Sequence, residues 1–328
     1  MSNQFNNVDD LTEMQVYIGR EMIDEYRAGQ INRRTLLKRL TLICGGAMGG
    51  AALLSACGDE QNAQMIMNPD AAAGGDGSPD AGSTGDARTG ALSVPADDPA
   101  VQASRVQFDS TGGKVTSYLA RPRASGSYPG VIVVHENRGL NDHIRDVARR
   151  LAKANFIALA PDLTSRGGST ETLDPDMART FLGMAAPELL VADLAVGVDF
   201  LGQQTGIASP TKIGVVGFCF GGGYTYRLAA ASPKIAAASS YYGPIQMDLI
   251  DQLRTTSAAI LIHHAETDNN VNSTTDQLLA ALMGKIYRLS SHPGTMHAFN
   301  NDTGASYNEG AAVTAWGETL EWFNMHLR

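Results

Sequence analysis

Cys219 stands between glycines two positions away on either side, in Gly217-Phe218-Cys219-Phe220-Gly221-Gly222-Gly223, directly after the apolar run from Lys212 to Phe218. A strand that turns sharply into a helix at such a sequence presents its central residue as a nucleophile. Side chains two residues to either side would collide, which is why those places are glycine. The helix that begins there aims unused N–H groups and its positive dipole end at the thiol, favouring thiolate over the ordinary cysteine pKa of about 8.5. The N–H of Phe220 is expected to serve as one oxyanion donor. The glycine spacing does not fit the Gly-x-Gly-x-x-Gly of a dinucleotide loop.

A cysteine nucleophile needs a base and an acid to orient it, and on such an elbow they follow in the chain order nucleophile, acid, histidine. Asp268 lies just after the apolar run ending at His264, and His297 lies in the loop His292-Pro293-Gly294-Thr295-Met296-His297-Ala298-Phe299 after the last such run. His297 is expected to accept the thiol proton and return it to the leaving group, with Asp268 fixing its tautomer. A competing arrangement is His264-Ala265-Glu266, because a His-x-Glu pair serves the cysteine of glutamine amidotransferases. A third reading keeps the fold as a non-catalytic ligand-binding protein, since fold alone does not settle function. Phe218, Phe220, Tyr224, Tyr241 and Tyr242 are candidates for an apolar pocket or, for most of them, for the core.

These residues need a scaffold with several strand ends on one edge. The pattern predicts strands over 130–135, 156–160, 212–218, 258–264 and 285–289, and helices over 142–153, 187–201, 221–231 and 311–326. Short apolar strands between helices indicate an α/β fold with a mostly parallel central sheet covered by helices on both faces. Ligands then sit beyond the carboxyl ends of the strands, where the residues above fall.

Three motifs in order, Gly-Phe-Cys-Phe-Gly-Gly at 217–222, His135-Glu136-Asn137-Arg138-Gly139-Leu140 and Ala160-Pro161-Asp162-Leu163, resemble those of the dienelactone hydrolase (carboxymethylenebutenolidase) family, from about Val106 to the C-terminus. The resemblance implies an α/β-hydrolase fold, a Cys219-His297-Asp268 triad and a thioester acyl-enzyme formed from an ester or lactone. It also implies that Glu136 helps to activate the thiol, that the N–H of Asn137 is the second oxyanion donor beside Phe220, and that neither cofactor nor metal is required. Members that cleave dienelactone carry Ser and Arg shortly after the catalytic histidine, where they bind the substrate carboxylate. Here those places hold Ala298 and Asn301, which argues against an anionic lactone unless Arg138, Arg166 or Arg179 supplies another anchor.

The chain has 25 Lys and Arg against 34 Asp and Glu, and 43% apolar with 18% charged residues. Residues 1–57 are balanced, with six basic and six acidic residues, so the formal charge of −9 belongs to the remainder. A nucleic-acid partner is excluded by the lack of a basic surface. Three cysteines are too few for a disulfide framework or a Cys-x-x-Cys zinc site. An amphipathic helix is expected around Met14, Val16, Ile18, Met22 and Ile23. The order Arg33-Arg34, apolar residues from Leu40, then Leu54-Ser55-Ala56-Cys57 resembles a twin-arginine export signal ending in a lipobox. On that reading residues 1–57 are leader, with Cys57 lipidated, and the protein is periplasmic or membrane-anchored through its lipid alone. Residues 58–99, without an aromatic and rich in Ala, Gly and Asp, are expected to be a tether, and residues 100–328 the catalytic domain.

Overall fold

Runs of β-branched residues separated by helices dictate a sheet with crossovers, and the computed structural model, which describes residues 11–67 and 90–328, contains one sheet of eight strands. In chain order these are β1 (Val101–Ser110), β2 (Gly113–Pro122), β3 (Gly130–Val134), β4 (Ile157–Pro161), β5 (Ile213–Phe218), β6 (Ile235–Tyr241), β7 (Ala259–Ala265) and β8 (Tyr287–His292). Across the sheet they lie in the order β1-β2-β4-β3-β5-β6-β7-β8. The β1–β2 and β2–β4 pairs are antiparallel, and every pair from β4 to β8 is parallel. This is the mostly parallel α/β architecture expected from the sequence.

The helices begin where the sequence supplies caps. Asn141 accepts from the Ile144 N–H and opens Asp142–Lys153, Pro187 occupies the first turn of Pro187–Gly202, and Asn308 accepts from Ala311 to open Glu309–Leu327. Asn141 and Asn308 each supply an acceptor to an N–H that has none within the helix, whereas Pro187 has no N–H to satisfy. β3, β5 and β7 are buried along their whole length, which is why they read as continuous apolar runs rather than alternating ones.

The chain forms two compact units, and the smaller does not follow the sequence-based boundaries. It joins residues 11–67 to Asp174–Ala185, a stretch expected to belong to the catalytic domain. Helices Glu13–Arg27, Arg33–Ile43, Ala47–Ala56 and Glu60–Met67 pack there with Pro175–Met184. Burial explains the grouping. Ile18, Met22, Leu36, Leu40, Ile43, Leu53 and Leu54 are enclosed, and a Cβ on Gly183 would stand 2.7 Å from Ile43 Cδ1. Arg179 donates to both oxygens of Glu25, at 2.9 and 3.2 Å. Burial pushes the Cys44 thiol up to about 12, so it is an inert apolar residue. No single helix among the described residues is long and apolar enough to cross a membrane.

The larger unit holds the described residues from 90 to Leu173 and Ala186–Arg328. The tether expected at 58–99 is therefore narrower. Glu60–Met67 is helical, and Val94 is buried with its N–H on Asp146 Oδ1 at 2.7 Å. The intervening Ala/Gly/Asp tract, 68–89, lies outside the described residues.

A buried ionic cluster ties the loop after β8 to helix Asp142–Lys153. Asp302 accepts from His143 Nδ1 at 2.9 Å and from Arg150 Nη2 at 2.5 Å, and Arg150 Nε donates to Asp146 at 2.7 Å. Burial pushes the Asp302 carboxyl up, but the His143 bond and the Arg150 charge together outweigh it and hold the group below the usual range. Stability from such a carboxyl is present above its unfolded pKa of about 3.9 and is lost as pH falls through the lower folded value. Asp302→Asn is expected to lower the urea midpoint at pH 7, with the gap to wild type shrinking below about pH 4. A gap that stays constant with pH would contradict this role.

Candidate active site

The chain after β5 must reverse within one residue to start helix Phe220–Ala231. Cys219 accomplishes this with φ 56° and ψ −121°, outside the conformations that a side chain prefers. Such a residue costs about 1–3 kcal/mol, while each enclosed large apolar side chain contributes about 1.5–3 kcal/mol. Val215, Val216, Phe218 and Phe220 around it are all fully buried, so packing outweighs the strain. The glycines are sterically required. A Cβ on Gly217 would stand 2.1 Å from Gly221 O, one on Gly221 2.3 Å from Val134 O, and one on Gly222 2.6 Å from Gly243 Cα.

Cys219 is a thiol, not half of a disulfide, and only 4% exposed. A ring nitrogen of His297 lies within 4.8 Å of its Sγ. On the other side of that ring, Nδ1 meets Asp268 Oδ2 at 2.5 Å, which leaves Nε2 for the thiol. Asp268 is itself held, since it caps the short helix Asn269–Asn272 and accepts from the Val271 N–H at 3.2 Å. The structure thus brings Cys219, His297 and Asp268 together, each just beyond the carboxyl end of its strand. Phe220 is the first residue of its helix, so its N–H has no acceptor within the helix. Asn137, the other expected oxyanion donor, is buried in the loop after β3.

Glu136 occupies that same loop and is 5% exposed. Its Oε2 accepts from Asn301 Nδ2 at 2.8 Å, whereas Oε1 is buried without a hydrogen-bond partner among the described residues. Asn301, singled out as the departure from an arginine, therefore touches the candidate thiol activator with a neutral amide. The loop is fixed from behind by His135. Burial pushes the pKa of that ring down, against the Asp162 charge, so it is neutral. Its Nδ1 lies 2.6 Å from the Glu136 carbonyl and its Nε2 accepts from the Leu163 N–H at 3.0 Å, which requires the proton on Nδ1. Asp162 in turn accepts from Thr164 and Thr170, and Thr170 Oγ1 receives the Leu140 N–H at 2.8 Å. The Pro161-Asp162-Leu163 motif is thus a brace between two loops.

Other sequence candidates fall elsewhere. Glu266 Oε2 accepts from the Gly294 N–H at 2.7 Å, bracing the loop that carries His297, which commits that oxygen away from a pair with His264. Arg166 is engaged by both oxygens of Asp193 at 2.7 Å and Arg179 by Glu25, which removes both as carboxylate anchors. Arg138 is exposed beside Asn137. Of the five aromatic candidates, all are fully buried, and Tyr242 has the added role that sequence reading missed. It packs edge-on to the His297 ring at 4.9 Å, and its phenol, raised well above its ordinary pKa by burial, also feels the charges of Glu136 and Cys219. Its position one residue past β6 would have revealed it, had β6 been recognised.

A family model described as dienelactone hydrolase family matches residues 115–327. Among curated proteins, the chain is 30% identical over 237 residues to a candidate carboxymethylenebutenolidase of Methylorubrum extorquens, covering 68% of this chain and 81% of the relative. It is 32% identical over 241 residues to one from Salmonella typhi, with 69% and 88% covered. Among solved structures, a candidate dienelactone hydrolase from Klebsiella pneumoniae superposes with a TM-score of 0.64 at 30% identity, over 69% of this chain and 100% of that one. The fold of the larger unit is accordingly the α/β-hydrolase fold.

The Glu136–Asn301 contact makes a direct forecast. Asn301→Ala leaves a buried carboxylate short of its donor and is expected to lower stability by about 1.5–3 kcal/mol, the range for hydrogen bonds to charged groups. Urea denaturation measures this, and a loss below about 0.5 kcal/mol, the level of an indifferent surface change, would contradict the placement.

Proposed function

Because this chain belongs to the dienelactone hydrolase family, whose members are lactone and ester hydrolases, we propose that it cleaves its substrate with Cys219 as nucleophile through a thioester. The observation that carries this reading is the alignment of Asp268, His297 and Cys219, with Nδ1 of the imidazole on the acid and a ring nitrogen within reach of the sulfur.

In the proposed course, Cys219 Sγ attacks the carbonyl carbon, forming the C–S bond and moving the carbonyl electron pair onto oxygen. The N–H groups of Phe220 and Asn137 hold that oxyanion. Its collapse breaks the C–O bond, and His297 Nε2 gives its proton to the departing alkoxide. Water then loses a proton to His297 and attacks the thioester, releasing the acid and restoring the thiolate. Glu136 Oε1, buried with no hydrogen-bond partner among the described residues, is suited to take the thiol proton at the outset and pass it to His297 Nε2, which supplies the proton later given to the alkoxide. Asn301 offers an uncharged amide where an arginine would attract an anion, so neutral esters and lactones are the proposed substrate class.

The order of basic, apolar and small residues through Cys57 supports export with a lipid on that cysteine as the proposed location. Cleavage before Cys57 would take away Glu25, Ile18 and Ile43, against which Pro175–Met184 is packed. A labelled fatty acid should then appear in the wild-type protein and be lost in Cys57→Ala; equal labelling of the two would contradict lipidation there.

The catalytic reading is tested by steady-state hydrolysis of a neutral aryl ester, a neutral lactone, a carboxylate-bearing lactone and glutamine. Cys219→Ala and His297→Ala are each expected to lose at least about 10³-fold in kcat/KM, as removal of a nucleophile or its base does. His264→Ala is expected to retain activity, and the neutral substrates to exceed the anionic one. Folded wild-type protein that turns over nothing would favour a ligand-binding role, and loss of glutamine turnover in His264→Ala would favour the amidotransferase arrangement.

A further inference from the structure

We infer that His263, His292 and Glu318 form a binding site for one divalent transition metal ion, zinc by donor type, that clasps β7, β8 and the C-terminal helix. His263 lies within β7, His292 ends β8, and Glu318 belongs to helix Glu309–Leu327. The three side chains bring their ligand atoms within 4.8 Å of one another. His263 Nδ1 is 3.1 Å from His292 Nε2 and 3.4 Å from Glu318 Oε2. Ligands about 2.0–2.1 Å from a tetrahedral zinc stand about 3.3 Å apart, so these two edges already match the spacing that such an ion imposes. Two imidazoles and a carboxylate also form a donor set that zinc accepts with a fourth position left for water.

Two further observations separate this cluster from ordinary core polar packing. Glu318 Oε2 is buried yet accepts no hydrogen bond among the described residues, an arrangement that costs free energy unless a cation or proton donor meets it. The outward side of His263 is also already oriented. Its Nε2 lies 3.0 Å from Thr319 Oγ1, which in turn meets Tyr241 Oη at 2.7 Å and Ser239 Oγ at 2.9 Å. Fixing the remote ring nitrogen in this way is what selects the tautomer and aim of a metal-bound histidine. On binding, the ion takes the place of the proton between the two rings. With Nε2–H of His263 donated to Thr319 throughout, that proton moves from Nε2 to Nδ1 of His292, so the rings stay neutral and no net proton is released.

The surroundings admit a cation. The Arg288 charge on β8 opposes a cation at His263, but it is offset by Glu321 at 3.1 Å, and its guanidinium lies over the Trp322 ring. The side chain of Glu318 is 27% exposed and β8 is the edge of the sheet, so an ion can enter from that side. Because β7 leads to Asp268 and β8 to His297, the ion would tie together the two strands that carry the acid and the base without touching the reacting atoms.

The test is titration of the chelator-treated full chain with Co²⁺, followed by its visible spectrum. The expected result is one equivalent bound with an intense tetrahedral d–d band and no thiolate charge-transfer band, which separates this site from Cys219. Loss of even an outer partner weakens metal sites about 10–100-fold, so Glu318→Gln and His292→Ala should weaken binding by about 100-fold or more and Thr319→Val by about 10–100-fold. Zn²⁺ should raise the Tm of wild type but not of Glu318→Gln, a partly exposed position whose substitution leaves the fold intact. Absence of the d–d band, a thiolate band, or equal affinity in Glu318→Gln would each overturn the inference.

Discussion

A single backbone turn, at Cys219, sets the terms for the catalytic unit. Its left-handed φ of 56° delivers the sulfur beyond the edge of the sheet, and Gly217, Gly221 and Gly222 let β3, β5 and β6 close around it with no room for a Cβ. Two other non-glycine residues with positive φ, Tyr242 and Ala298, stand at the same edge, one beneath the His297 ring and one beside it in sequence. Local strain is thus concentrated where the chemistry is proposed, and it persists because the buried strands beneath leave the chain no cheaper path.

The two loops flanking the thiol are held by different means. On the Glu136 side, a neutral His135 and the Asp162–Thr170 brace lock the loop after β3 to the loop after β4. On the His297 side, the buried Asp302, His143 and Arg150 anchor the following segment to helix Asp142–Lys153. Asn301 lies between the two, reaching across to Glu136. Buried bonds to charged groups are worth about 1.5–3 kcal/mol, against about 0–1 kcal/mol for exposed pairs such as Lys114–Asp109. The geometry of the site therefore rests on the interior clusters, not on surface ion pairs.

What the sequence disclosed follows from burial. Strands enclosed on both faces, β3, β5 and β7, were readable because nearly every residue is apolar, and the elbow was readable because its glycines are sterically forced. β6 escaped notice because Ala236-Ala237-Ala238-Ser239-Ser240 carries no β-branched residue, although tertiary contact makes it a strand. With it went the placement of Tyr242 against His297. The β1–β2 hairpin escaped because most of β1 faces solvent. The grouping of Asp174–Ala185 with the N-terminal helices depends on Arg179 meeting Glu25, and no local pattern encodes a partner 154 residues away. Asn301 could be marked as a departure from a motif, but its bond to Glu136 required the fold.

The central claim is that Cys219 becomes acylated. Rapid-quench mass spectrometry of the full chain turning over a neutral aryl ester tests it most directly. The account predicts an adduct of the acyl group's mass on the peptide containing Cys219 during wild-type turnover, absent in Cys219→Ala. Turnover that persists in Cys219→Ala, or an adduct located on another residue, would contradict it.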